Sequence, residues 1–305
     1  MRTSLILSCA LLAILPASMV DARPGDRLRA RFGHQNAATA APLAPGMQSF
    51  SYGTDRLQVL DYWPAQGATG GAPLVVFVHG GGWQRGSKDN ASGAWKAPHY
   101  TGLGYAYAAI NYRLVPGATV EDQAADVAAS LRYLIDHAGA LRIDPQQIVL
   151  MGHSAGAHLV ALVGTDERYL RAAGLSFASL KGVIPIDGAA FDVRRQIKDG
   201  GNFMHETYVE VFGSDPARQH ALSPTYMAVR PNTPAFLLIH VQRKDGIAQN
   251  EALEAALRKV GTPVTRQSFP GDGLIGHMTI NRSLGDPAYA ATSVVDGWLK
   301  QRFGQ

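Results

Sequence analysis

Residues 147–164 read QIVLMGHSAGAHLVALVG. From Ile148 through Met151 the stretch is an unbroken apolar run, the pattern of a strand buried on both faces of a sheet. From Ala155 onward it continues as a helix. Between the two stand Gly152, His153, Ser154, Ala155 and Gly156. A chain that passes from strand to helix this abruptly brings its two backbones close together, so the positions two before and two after the serine must be small. Such a turn lifts Ser154 clear of the sheet. It also puts the Ala155 N–H at a helix N-terminus, where donors lack an intrahelical partner. Small residues are common, so the pattern alone says little. Its place between strand and helix is what points to a nucleophile elbow.

Upstream, PLVVFVHG (73–80) and YAYAAINY (105–112) are further buried-strand runs, and SFSYG and LQVLDYW form an earlier, alternating pair. Between them and the elbow, residues 119–138 carry helical periodicity, with Thr119 and Asp122 spaced as a capping box. Downstream, LKGVIPID (180–187), AFLLIHV (235–241) and VTRQSF read as strands. Residues 250–261 read as a helix closed by glycine, and 286–303 as a closing helix. Strands alternating with helices predict a mostly parallel sheet covered on both faces, with the early strand pair as an antiparallel edge. Residues 188–233 break the alternation. They are too long for an ordinary connection and read as an insertion that serves as a lid or pocket wall.

HGGGW (79–83) follows the 73–80 strand. Three glycines let backbone N–H groups face a bound oxyanion with no Cβ in the way. A phosphate cradle would need a lysine and a helix directly afterwards, and neither follows. Gly81, Gly82 and Ala155 are therefore the expected oxyanion donors.

HGGGW, NYRL (111–114), GHSAGAHL and GHMTINRSLG together resemble an α/β-hydrolase of the carboxylesterase type. The chain is similar to hormone-sensitive-lipase-like esterases, kynurenine formamidases and small bacterial feruloyl or acetyl esterases. The resemblance covers about 48–303 and speaks for the fold and for a serine hydrolase more than for any substrate. It departs from some of these esterases in lacking a long N-terminal helical cap.

The chain has ten histidines, two of them beside Ser154. His153 is expected to point away from the serine at a sharp turn, and His158, one helical turn on, to face the body of the fold. His79 reads as structural and His240 as packed. His277 lies in PGDGLIGHM after the last strand, with glycines that permit unusual backbone angles, and it comes last in the order Ser, Asp, His. It is the expected general base. The third member should be a carboxylate that holds the imidazole tautomer and stabilises the imidazolium. Asp245, after the 235–241 strand, matches the position the resemblance implies. Asp187, at the end of the preceding strand, is the alternative, or else lines the pocket; Asp272 reads as a turn tip. Trp83, Tyr112, Phe191 and Phe203 are candidate pocket residues, with core packing as the plainer reading.

These residues imply acyl transfer to water through an acyl-enzyme, on small to medium carboxylic esters. An N-formyl amide, as in an arylformamidase, is the alternative substrate, and a hydrolase fold that only binds a ligand is a third reading. Scattered histidines and acids show no metal-ligand spacing, and no dinucleotide fingerprint is present, so neither metal nor cofactor is expected.

Composition bounds the rest. The 305 residues are 46% hydrophobic and 17% charged, enough for one large domain. The net charge is +4, and Arg23, Arg27, Arg29 and Arg31 against Asp26 supply +3 of it within one short stretch. The remainder is no nucleic-acid footprint. Arg2, the apolar run 5–15 and Val20-Asp21-Ala22 predict a secretory signal peptide over 1–22, too short to anchor in a bilayer. An Arg/Ala/Pro-rich leader (23–46) and the catalytic domain (47–305) follow. Export to the periplasm or the extracellular space is the expectation. The single cysteine, Cys9, would leave with the signal segment, so neither a disulfide nor a thiol nucleophile is expected in the mature chain.

Overall fold

The computed structural model describes residues 45–89 and 92–305, with the backbone alone for 201–203. The expected signal peptide, Cys9 and all but the end of the leader lie outside the described residues. In chain order the elements are β1 (Gln48–Ser51), β2 (Val59–Trp63), β3 (Ala72–Val78), α1 (Lys96–Gly102), β4 (Ala106–Ile110), α2 (Val120–Asp136), α3 (Ala138–Leu141) and β5 (Ile143–His153). They continue with α4 (Ala155–Thr165), α5 (Glu167–Ala172), β6 (Gly182–Ile186), α6 (Val193–Asp199), α7 (Gly201–Phe212), α8 (Pro216–Ala221) and α9 (Pro224–Met227). The last are β7 (Phe236–Val241), α10 (Lys244–Lys259), β8 (Val264–Phe269), α11 (Gly273–Ser283) and α12 (Ala290–Phe303).

The eight strands form one sheet in the order β1-β2-β4-β3-β5-β6-β7-β8. β1 and β2 pair antiparallel, β2 joins β4 antiparallel, and the remaining pairs are parallel. The apolar runs explain this order. On β3, Leu74, Val76 and Val78 enter the core on one face, while Val75 and Phe77 enter the core on the other. A strand buried on both faces has no polar side to give to water, so helices must cover it twice. Helix α2 supplies part of one cover and starts where its sequence says it should. Thr119 Oγ1 accepts the Asp122 N–H at 3.1 Å, and the Asp122 carboxylate accepts the Thr119 N–H at 2.9 Å. Between β6 and β7 the chain runs through the four helices α6 to α9 before rejoining the sheet.

Pairing brings the C-terminal ends of the central strands together. His153 on β5 sits opposite Ile186 on β6, and Ile186 sits opposite Ile239 on β7. Ser154, Asp187 and the segment after Val241 therefore leave the same edge of the sheet as neighbours, where open parallel sheets place their ligands.

Two local expectations differ. His277 lies in the first turns of helix α11 rather than in a loop. The glycines do their work before it: Gly271 (φ 120°) and Gly273 (φ 50°) take the left-handed angles, and helix follows. Likewise the helix expected from residue 250 begins at Lys244, with the Ile247 N–H donating to the Arg243 carbonyl at 2.8 Å. That places Asp245 inside a helical turn.

Candidate active site

Ser154 has φ 57° and ψ −117°, a conformation that costs a non-glycine residue about 1–3 kcal/mol. Its neighbours make the turn possible. A Cβ on Gly152 would lie 2.3 Å from the Gly156 carbonyl oxygen, and one on Gly156 would lie 2.2 Å from that of Val78. Both are backbone collisions, so only glycine fits. The Ser154 N–H donates to Ile186 O at 3.0 Å, which fixes the turn against β6.

The glycine loop after β3 lies against this turn. A Cβ on Gly80 would come 3.0 Å from the Ser154 Cβ. Gly81 (φ 133°) has the Arg85 carbonyl oxygen 2.0 Å from where its Cβ would be. Gly82 (φ 61°) has more space, with Met204 and Thr207 of α7 at ordinary contact distance, so its constraint is the angle. Helix α7 thus forms a wall over this loop. The Ala155 N–H opens α4 across from it.

The loop is braced from behind. Neutral His79 is stacked on Tyr112 at 4.3 Å, and the Tyr112 hydroxyl donates to the His79 carbonyl at 2.9 Å. Burial pulls His79 down to about 4, against a weaker opposing hydrogen bond to the Gly80 carbonyl. Trp83 adopts φ 62° and is 2% exposed. Its carbonyl accepts from Gln123 Nε2 at 2.7 Å and from the Val115 N–H at 3.0 Å. Its indole N–H donates to His158 Nδ1 at 3.3 Å, and His158 Nε2 donates to the Leu222 carbonyl at 2.8 Å. The two bonds fix His158 as the neutral Nε2–H tautomer, and burial lowers it to about 4. Trp83, Tyr112 and Phe191 are therefore packing residues, buried with their polar atoms or rings engaged inside, and not pocket lining. The side chain of Phe203 lies outside the described residues.

The acid opposite the histidine is Asp187, which corrects the expectation of Asp245. His277 Nδ1 lies 2.5 Å from Asp187 Oδ2. The Asp187 side chain has no solvent exposure, and its Oδ1 accepts the Val241 N–H at 3.1 Å. Burial pushes its carboxyl up, but the hydrogen bond and charge of His277, then Arg243, outweigh burial and hold it well below the usual carboxylate range. Asp245, among the described residues, bonds to Arg243 Nη1 at 3.2–3.3 Å and to Gln196 Nε2 at 3.3 Å. The reason is backbone geometry. Asp245 has been drawn into the first turn of α10, while Arg243, just before it, turns its Nε to Asp187 Oδ2 at 2.9 Å. Asp272, the remaining acid near His277, is exposed at the N-terminus of α11.

His277 is also held through its backbone. His153 Nε2 donates to the His277 carbonyl at 2.9 Å, with the two rings 4.4 Å apart. Burial, then the charge of His277, keeps His153 neutral. One turn further along α11, the buried Lys96 ammonium donates to the Asn281 carbonyl and, at 2.9 Å, to its side-chain oxygen. Neither His153 nor Lys96 carries a motif that marks this role. Backbone strain does mark the site: of five described non-glycine residues with positive φ, Trp83, Ser154, Asp187 and Ala190 cluster here, and Arg142 lies elsewhere. Among the described residues no group of three or more His, Cys, Asp or Glu could hold a metal ion, and no helix is long and apolar enough to cross a membrane.

Comparison with known proteins agrees with this architecture. A probable isoprenylcysteine alpha-carbonyl methylesterase of Oryza sativa subsp. japonica is 36% identical over 115 residues, 38% of this chain and 27% of that protein. A kynurenine formamidase of Drosophila melanogaster is 33% identical over 112 residues, 37% of this chain and 36% of its own length. The matches thus span about a quarter to a third of these relatives. The crystal structure of esterase B from Lactobacillus rhamnosis superposes with a TM-score of 0.72 at 21% identity, covering 92% of this chain and 91% of that one. It shares the α/β-hydrolase fold. The BD-FAE family model matches residues 60–257, a span that holds the glycine loop, Ser154, Asp187 and Arg243, and the chain belongs to that family.

Proposed function

We propose that the protein is a serine hydrolase that cleaves small to medium carboxylic esters through an acyl-enzyme. The contact of His277 Nδ1 with the buried Asp187 carboxylate, beside the strained Ser154 turn, carries the reading. With Nδ1–H committed to the carboxylate, the lone pair of His277 is on Nε2, the nitrogen left to take a proton. Ser154 Oγ attacks the ester carbonyl as His277 accepts its proton. The oxyanion of the tetrahedral intermediate receives hydrogen bonds from the N–H groups of Gly81, Gly82 and Ala155. The imidazolium, stabilised by Asp187, then protonates the departing alkoxide, and water repeats the sequence on the acyl-enzyme. The insertion, through Met204 and Thr207 of α7 beside Gly82, supplies one wall of the substrate site.

An organophosphonate ester should label wild-type protein once, on Ser154, and Ser154→Ala should take no label. An adduct on another serine would remove the assignment. The formamide reading is kept because a kynurenine formamidase is among the relatives. A panel of chromogenic esters, acetyl and feruloyl esters and N-formylkynurenine separates the two by kcat/KM. Export belongs to the same proposal and rests on Arg2, the 5–15 apolar run and Val20-Asp21-Ala22. N-terminal sequencing should find mature protein starting near Arg23, and an intact N-terminus would refute it.

A further inference from the structure

Asp187 Oδ2 accepts two donors, His277 Nδ1 at 2.5 Å and Arg243 Nε at 2.9 Å. A guanidinium there has two opposed consequences. It fixes a carboxylate that has no exposure and keeps it ionised, which the histidine needs. It also sets a positive charge beside the place where imidazolium must form, which the histidine does not need. The far side of Arg243 carries the remedy. Arg243 Nη1 meets both oxygens of Asp245 at 3.2–3.3 Å. When His277 is protonated, His277, Asp187, Arg243 and Asp245 alternate in sign and cancel. Asp245 is in turn held by Gln196 Nε2 at 3.3 Å, and the same amide lies 3.2 Å from the Tyr208 hydroxyl, so the chain of charges ends on helices α6 and α7.

We propose that Arg243 and Asp245 are a positioning pair for the acid–base couple: Arg243 orients the Asp187 carboxylate, and Asp245 offsets the charge that Arg243 brings. The proposal rests on the serine-hydrolase reading above. Neither residue touches the reacting atoms; both act through Asp187.

The other titratable groups facing this network are His153, Tyr208 and Tyr289, with Lys96 beyond His153. Burial and nearby negative charge push both tyrosines up, Tyr208 to about 12, so neither ionises near neutral pH. Burial keeps His153 neutral. Burial pulls Lys96 down to about 7, but it is common to every variant below and drops out of differences between them.

The test is the pH profile of kcat/KM on one soluble ester, for wild type, Arg243→Met, Arg243→Lys and Asp245→Asn, with thermal melts. A positive neighbour disfavours the imidazolium. Removing it in Arg243→Met should move the acid limb to higher pH, by about one pH unit at an effective protein dielectric. Arg243→Lys keeps the charge and should restore the limb to within a few tenths of a unit. Asp245→Asn leaves Arg243 uncompensated and should move the limb the opposite way, to lower pH. That shift should be about half as large, because Asp245 is 28% exposed, and should shrink in high salt. Opposite signs for Arg243→Met and Asp245→Asn support the pair. Shifts of one sign, or none, overturn it while phosphonate labelling of Ser154 still stands. If Arg243→Met does not fold, Asp245→Asn decides alone, and an unmoved or raised limb refutes the proposal. A wild-type protein that takes no phosphonate refutes the hydrolase reading instead.

Discussion

Gly152 and Gly156 face each other across the Ser154 turn, four residues apart, where any Cβ would strike backbone. Asp187 and His277 meet across 90 residues of sequence, and what holds them is a set of side chains: Arg243 on the carboxylate, His153 and Lys96 on the backbone of α11. The first region is shaped by exclusion, because only glycine fits, and its function follows from local covalent geometry. The second is shaped by attraction between charged and polar groups that have several possible partners. In the first region Gly152 and Gly156 tolerate no side chain. In the second a carboxylate has more than one cation within reach: Asp245 pairs with Arg243, while Asp187 meets both Arg243 and His277.

Ser154 is the most direct test of the first region. Ser154→Ala should cost on the order of 10⁶ in kcat, the loss seen when a triad nucleophile is removed, with an unchanged melting curve, because alanine keeps the Cβ and the same backbone angles. Substantial residual turnover would mean that the chemistry is elsewhere. Next comes the choice of acid. Asp187→Asn should lower kcat by about 10⁴, the scale of an Asp→Asn change in a known triad, whereas Asp245→Asn at neutral pH should lower it roughly tenfold or less. The reverse ranking, measured at one pH on one ester, would return the acid to the position after β7.

The glycine loop offers a smaller effect. At Gly82 a Cβ would sit at ordinary contact distance from Met204 and Thr207, but φ is 61°, so Gly82→Val should strain the loop, press on α7 and misplace a donor. A loss of about 10²–10³ in kcat is expected, with the fold retained by melt. Full activity would place the hole elsewhere.

The smallest effect sharpens the contrast through pH. Burial depresses His158 to about 4, below its unfolded value near 6.5. The unfolded chain therefore binds the proton more readily, and the stability linked to this group is present above pH 6.5 and is lost as pH falls toward 4. The loss is on the order of 3 kcal/mol. His158→Gln retains a donor for Leu222 and an acceptor for Trp83 but has no charge to gain. Its melting temperature should fall less between pH 6.5 and 4.5 than that of wild type. Parallel curves would show that His158 is already accessible to protons in the folded state.

Much was legible in the chain itself. The strand–glycine–serine–glycine–helix stretch, the HGGGW loop and the alternation of apolar runs with helical periodicity lead to an α/β-hydrolase sheet. Each of these depends on interactions within a few residues: a missing Cβ, a periodicity of two or 3.6, a capping side chain. What the tertiary structure decided lies at longer range. Which of two aspartates meets His277 turned on where helix α10 begins, because starting at Lys244 carries Asp245 away and points Arg243 at Asp187. That Trp83 and Tyr112 pack rather than line a pocket turned on what lies behind the glycine loop, namely His158, His79 and helix α2. That His153 supports His277 turned on a helix arriving from 124 residues away. A local pattern speaks for the strands, the glycine turns and the helix interiors, but a charged or aromatic side chain reaches across the fold, and the partner it finds depends on which strand ends the sheet has placed side by side.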